Sequence, residues 1–302
     1  MSVLTFTQMV GELGAWLDIG TASGSEGETT VKRCLNWGAR RVWTARFWYE
    51  RRSEVQAYTV APYTTGTATF TNASTAVTGG STVWTAAMTG RKIALSLGSP
   101  WYRFTRTGGT TGTIAPSSGY AEANATAVAY TIFQDEFDVA TDCDVIYDAQ
   151  LIRQEWGGGM IPLSEAAMDD SAFVHGYSSL PTHFTMTASQ TTGTRRIRVF
   201  PIPDNAYRIR IRYWKSYTDM SDGADTCALG ANKEVLVMKA AALYAQSLSD
   251  VRQITSEAEV SALIDQAWRE QQDRVPVAYQ KRGFDQVGAS GDLWLDPTNA
   301  WS

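Results

Sequence analysis

Histidine and cysteine are scarce in this chain and an excess of basic residues is missing, and each shortage removes a class of function. Only two histidines, His175 and His183, occur among the 302 residues. They fall in a stretch of loop-like composition, where ordinary polar contacts outweigh a metal or catalytic role. The three cysteines, Cys34, Cys143 and Cys227, are scattered and form no C-x-x-C pair. An odd, dispersed set predicts reduced, buried structural thiols rather than a disulfide frame or a zinc site. The formal net charge of -5 argues against tight wrapping of nucleic acid, which Lys and Arg would have to drive. No apolar run reaches the roughly 18 residues that a membrane helix needs. The opening "MSVLTFTQMVGELGAWLDIG" lacks a basic leader and carries Glu12 and Asp18, so it does not read as a secretory signal. The expectation is a soluble protein made in the cytoplasm, with no membrane, metal or cofactor.

Catalytic signatures are missing too. The glycine-rich "GTASGSEGETT" has no lysine to reach a phosphate and reads as a helix-cap loop. There is no H-E-x-x-H and no G-x-S-x-G elbow. Carboxylates cluster at Asp135, Glu136 and Asp138, and again at Asp142, Asp144 and Asp148. A glycosidase would use such a pair as acid and base or nucleophile; a solvated acidic connecting loop outweighs it. The tryptophans stack on sugars in one reading, and fill a core or a subunit contact in the preferred one. The chain is therefore not expected to be an enzyme.

What is present is apolar and aromatic: 44% hydrophobic residues, 11 Trp and 13 Tyr, enough for a packed core without staples. Residues 4–17 place Leu4, Met9, Leu13, Trp16 and Leu17 at helical spacings. Ser25 and Glu28 have capping-box spacing before a stripe of Val31, Leu35, Gly38, Val42 and Ala45, which predicts a helix over about 28–46. A second strong helix follows Asn232 as its cap, and a third starts at the Ser256 and Glu259 spacing and runs to about Arg274. A bundle built from both termini would bury these stripes.

Between the helices the period changes. Ala68 and Phe70 alternate with threonines, "NAS" turns, Gly79-Gly80 offers a tight reversal, and Tyr102 with Phe104 and Val128 with Tyr130 and Ile132 alternate further on. Strands from about 64 to 133, separated by glycine-rich turns, predict a small antiparallel barrel or sandwich. Residues 134–194 are less legible, with a short strand around Val145 to Tyr147 and a helical turn or two in "LSEAAMDD". "RRIRVFPIPDNAYRIRIRYW" then reads as a β-hairpin, with Ile197, Val199, Tyr207, Ile209, Ile211 and Tyr213 inward and Arg196, Arg198, Arg208, Arg210 and Arg212 outward. That arginine face is solvated, contacts a neighbouring subunit or borders a DNA channel; the subunit contact is preferred. After residue 281 the period is lost, yet Phe284, Trp294, Leu295 and Trp301 remain as isolated anchors, a pattern suited to an arm that orders on a partner. The predicted architecture is α+β. A discontinuous helical and β body (1–61 and 135–281) carries an inserted β-domain (62–134) and an extended C-terminal arm (282–302).

The order of these features resembles the head-to-tail adaptor, or connector, proteins of tailed bacteriophages. The resemblance runs to about residue 275 and is carried by "TGTATFTNASTAVTGGSTVWTAAMTGRKIAL", "YTIFQDEF", "LPTHFTM" and "FPIPDNAYRIRIRYWK", most specifically by "MTGRKI" and "PIPDNAY". It implies a structural virion protein at the neck: a homo-oligomeric ring, usually of twelve subunits, docked below the portal protein and bound by a downstream tail or neck protein. DNA would pass through the lumen without sequence-specific binding, and no bond would be made or broken. On that reading the five arginines serve subunit contacts, and the arm reaches the portal or a neighbour. The rival expectations are another neck or tail-tube component, or a virion protein that binds or cleaves carbohydrate.

Overall fold

The computed structural model describes residues 3–152, 157–174, 176–188, 194–230, 233–248 and 255–274. It is mixed α+β. The helices, in chain order, are α1 (Phe6–Leu17), α2 (Glu26–Ala45), α3 (Glu165–Val174), α4 (Glu234–Leu248) and α5 (Glu257–Arg274). The chain divides into two compact units, residues 1–51 with 217–302, and residues 52–216.

In the first unit, α1, α2, α4 and α5 share one core, in which Met9, Leu13, Val31, Leu35, Val237, Ala241 and Val260 are buried. The stripes expected from the sequence are the faces that meet there. Gly38 sets the closest approach. A Cβ at this position would lie 2.5 Å from the Ala241 amide nitrogen and 2.7 Å from the Val237 carbonyl oxygen, so α2 and α4 pack backbone to backbone. Around that contact Trp37 stacks on Tyr244, with ring centroids 4.3 Å apart.

The helix starts follow capping chemistry. Thr5 and Gln8 form a complete capping box on α1, a T-x-x-Q signal that the sequence reading passed over. The Ser25 hydroxyl accepts from the Glu28 amide at 3.1 Å, but the Glu28 carboxylate accepts from the Gly24 amide at 2.6 Å, so only half of the expected box forms. The helix begins at Glu26, two residues before the expected start. The Ser256 hydroxyl likewise accepts from the Glu259 amide at 3.3 Å, while the Glu259 carboxylate turns to Lys239 on α4 and to Thr255. Asn232, the expected cap of α4, lies outside the described residues.

The second unit opens with β1 (Arg52–Tyr58) and continues with β2 (Thr67–Phe70), β3 (Ala76–Gly80), β4 (Lys92–Ala94), β5 (Trp101–Arg106), β6 (Thr111–Ala115), β7 (Ala125–Val128) and β8 (Thr131–Phe133). Strands β2 to β8 form one seven-stranded sheet in the order β7-β2-β3-β6-β5-β4-β8. Its two edge strands, β7 and β8, are separated in the chain by Ala129 and Tyr130 alone, so the sheet must curl on itself into a half-barrel. Inside are Phe70, Trp84, Ile93, Phe104, Tyr130 and Ile132, all buried; Phe70, Phe104, Tyr130 and Ile132 belong to the alternation seen in the sequence.

The Thr-rich stretch is therefore ordered, with one correction. Gly79 and Gly80 are not a reversal; they pair with Ala68 and Thr67 inside the β2–β3 ladder. The reversal falls at Asn72-Ala73-Ser74, where Ala73 has φ 58°. Gly79 is small for another reason: a Cβ there would lie 2.2 Å from the Thr82 methyl and 3.0 Å from the Trp84 ring. A hydrogen-bond cluster pins the same corner. The Tyr130 hydroxyl receives the Trp84 indole at 2.8 Å, bonds Thr82 at 2.6 Å and donates to the Thr65 carbonyl at 2.9 Å.

The remaining strands are β9 (Glu136–Asp138), β10 (Cys143–Ile152), β11 (Gly157–Gly159), β12 (Ile161–Pro162), β13 (Ser178–Ser179), β14 (His183–Ala188), β15 (Arg195–Phe200), β16 (Ile202–Pro203) and β17 (Arg208–Lys215). Two four-stranded sheets result, β1-β17-β10-β11 and β12-β14-β15-β9. They share a core that includes Ile146, Leu151, Phe184, Ile197, Val199, Ile209, Ile211 and Tyr213. Here the expected hairpin is overturned. β15 pairs with β14 and β9, β17 pairs with β1 and β10, and the two never pair with each other. The intervening "PIPDN" holds β16, which runs parallel to β13 and sends the chain into the other sheet.

Candidate functional site

Because β15 and β17 belong to different sheets, the five arginines do not share a face. Arg196 and Arg198 lie on β15 opposite Asp138 and Glu136 of β9, while Arg208, Arg210 and Arg212 line the outer side of β17. Two separate charged surfaces follow.

The first is a network at the base of the half-barrel. Lys92 on β4 reaches Asp135 and Glu136, each at 2.8 Å, and its ammonium lies 4.1 Å from the centre of the Trp101 ring. Arg198 bonds the same Asp135 oxygen at 3.2 Å and also pairs with Asp169. Arg103 reaches Glu136 at 3.1 Å, and Arg196 bridges Glu136 at 3.5 Å and Asp138 at 2.5 Å. The Lys92 and Asp135 side chains are only 3% and 6% exposed. Burial pushes the Glu136 carboxyl up, but the Lys92 charge and hydrogen bond, with Arg103 behind them, override it and hold the group at about 2. For Arg198, burial works against the charged form, and Asp135 and Asp169 reverse it and hold the guanidinium above its ordinary value.

The reading of 135–138 as a solvated acidic loop is therefore corrected: Asp135 is buried and Glu136 opens a paired strand. Its partners come from positions 92, 103, 196 and 198, which no local pattern could have flagged. A carboxylate held ionised down to about pH 2 is also the opposite of the general acid that a glycosidase requires. Of the second cluster, Asp142 lies in the turn that leads into β10, while Asp144 and Asp148 belong to the strand. Asp148 lies in β10 and pairs with Arg212 at 3.0 Å, although burial leaves its carboxyl above the ordinary value. Asp142 accepts from the Tyr213 hydroxyl at 2.9 Å.

The second surface is the outer side of the sheet β1-β17-β10. The register Arg52↔Trp214, Glu54↔Arg212, Gln56↔Arg210 and Tyr58↔Arg208 puts four arginines among aromatic side chains. Tyr147 packs on Trp214 with ring centroids 4.9 Å apart, and the Arg52 guanidinium lies 5.2 Å from the Trp214 ring centre. Tyr58 and Tyr147 remain 64% and 40% exposed.

A third feature is a cleft of about 280 Å³ in the half-barrel, walled by Phe70, Leu95, Tyr102, Tyr120 and Glu122. Tyr102 donates to the Glu122 carboxylate at 2.6 Å. The rings of Phe70 and Tyr120 are buried against each other, with centroids 5.0 Å apart.

Among the described residues no group of three or more His, Cys, Asp or Glu is placed to hold a metal ion, and no helix is long and apolar enough to cross a membrane. Cys34, Cys143 and Cys227 are free and buried. Burial pushes all three thiols up, Cys143 to about 12, which keeps them unreactive. His183 bonds Thr182 at 2.8 Å. His175 and the arm anchors Phe284, Trp294, Leu295 and Trp301 lie outside the described residues.

The fold is a mixed α+β arrangement in which Lys92, Asp135, Glu136 and Arg198 tie strands of different sheets together. The family to which the chain belongs follows from comparison. The model of the SU10 adaptor protein family matches residues 113–282, more than half of the chain, and the chain belongs to that family of phage head-to-tail adaptors. No curated protein matches it.

Proposed function

We propose that this chain is a structural neck component of a tailed phage that assembles as a ring of about twelve copies below the portal and hands the genome to the tail. The family membership carries this reading. The helical and β body, residues 1–61 and 135–281, forms the ring wall. The inserted module, 62–134, projects outward or toward the next neck or tail protein. DNA crosses the lumen without being read in sequence, in keeping with a net charge of -5.

The proposed subunit contact narrows to Arg208 and Arg210, with Arg212, which already pairs with Asp148 at 3.0 Å, beside them. Arg196 and Arg198 already spend their guanidiniums on carboxylates of their own chain, so they support the wall from within. The arm anchored by Phe284, Trp294, Leu295 and Trp301 reaches the portal or an adjacent copy. Native mass spectrometry of the chain mixed with its portal protein tests the reading. A complex holding a fixed ring of copies per portal is expected; a chain that stays single in the presence of portal would refute it.

A further inference from the structure

The sheet β1-β17-β10 has one face in the core and one in solvent, and the open face holds more cationic hydrogen-bonding capacity than its own carboxylates use. The Glu54 carboxylate lies 3.9 Å from Arg210 and 4.0 Å from Arg212, shared by both and within hydrogen-bond reach of neither. The Arg210 Nε is buried and has no hydrogen-bond partner among the described residues. Among the described residues Arg208 bonds a neutral amide, that of Gln56, at 2.7 Å. Beside these guanidiniums stand the Tyr147–Trp214 pair and the exposed Tyr58. Such a surface fits a partner that brings separate carboxylates and flat apolar rings.

The chain carries a segment of that chemistry. Residues 283–302, "GFDQVGASGDLWLDPTNAWS", contain Asp285, Asp292 and Asp296 and no lysine or arginine, interleaved with Phe284, Trp294 and Trp301. We infer that the open sheet face of one subunit receives residues 283–302 of a neighbouring copy, aspartates meeting Arg208 and Arg210 and a tryptophan seating against Tyr147 and Trp214. The inference rests on the ring reading and deepens it by naming what the arm grips. DNA would also seek arginine and aromatic rings. However, Glu54 and Asp148 stand inside the arginine row, where a continuous phosphate backbone would meet them, whereas discrete aspartates can fall between them.

The test uses the full-length chain with a photo-crosslinking amino acid in place of Trp294, mixed as light and heavy isotope copies and assembled with portal. Crosslinks are expected between copies of different label, landing within 145–148 or 208–214. Asp292→Arg with Asp296→Arg should cut them about tenfold, and Arg208→Asp with Arg210→Asp on the receiving copy should restore them. Crosslinks into the portal or within one copy, yields indifferent to charge reversal, or loss of the crosslink to competing duplex DNA would each overturn the inference. A ring that assembles without the crosslink sinks the arm docking alone; copies that stay single on adding portal sink the ring reading with it.

Discussion

Lys92 is a cation in a nearly dry site, and its neighbours determine what its removal does. Replacing Lys92 with Met would leave Asp135 to Arg198 and Glu136 to Arg103 and Arg196, so the loss should fall below the roughly 3–5 kcal/mol seen when a buried charge is left with no partner. Denaturant unfolding should register it. Glu136 also sets an acid limit. Its folded pKa of about 2 lies below the ordinary 4.5, so its contribution is full above about pH 4.5 and fades as pH falls toward 2. The natural chain should lose stability more steeply than Glu136→Gln across that window; parallel slopes would show that the carboxylate is not held as described.

Among the elements, two contacts fix packing. Gly38 sits where a methyl group would strike the α4 backbone. Gly38→Ala should therefore lower the melting temperature of the helical unit, although alanine favours an isolated helix by about 1 kcal/mol. A raised melting temperature would mean that α2 and α4 stand further apart. In the half-barrel, Tyr130→Phe strips the Trp84 indole and the Thr82 hydroxyl of their common partner. A cost of about 1–3 kcal/mol is expected, read from Trp84 near-ultraviolet circular dichroism during unfolding.

These elements also mark how far the sequence could be read. Ser25 and Ser256 announced their helices because capping is local, and Phe70, Tyr102 and Phe104 announced strands because alternation is local. Pairing is not. The "PIPDN" segment looked like a hairpin loop, yet Ile202 and Pro203 pair with Ser178 and Ser179 and divert the chain between sheets. The Lys92 network was invisible for the same reason, since its members meet only after strands distant in sequence have paired. The outer arginines of β17 were legible as a face; that Arg196 and Arg198 belonged to another sheet was not.

At the scale of the whole molecule, family membership makes this chain a phage adaptor, and copies of it are proposed to close into a ring on the portal. Electron microscopy of the portal and adaptor mixture tests that claim most directly. End-on views of a closed ring are expected, one adaptor layer beneath the portal, with an open axial channel wide enough for duplex DNA. Portal particles without an added layer, or an adaptor layer with no central opening, would contradict it.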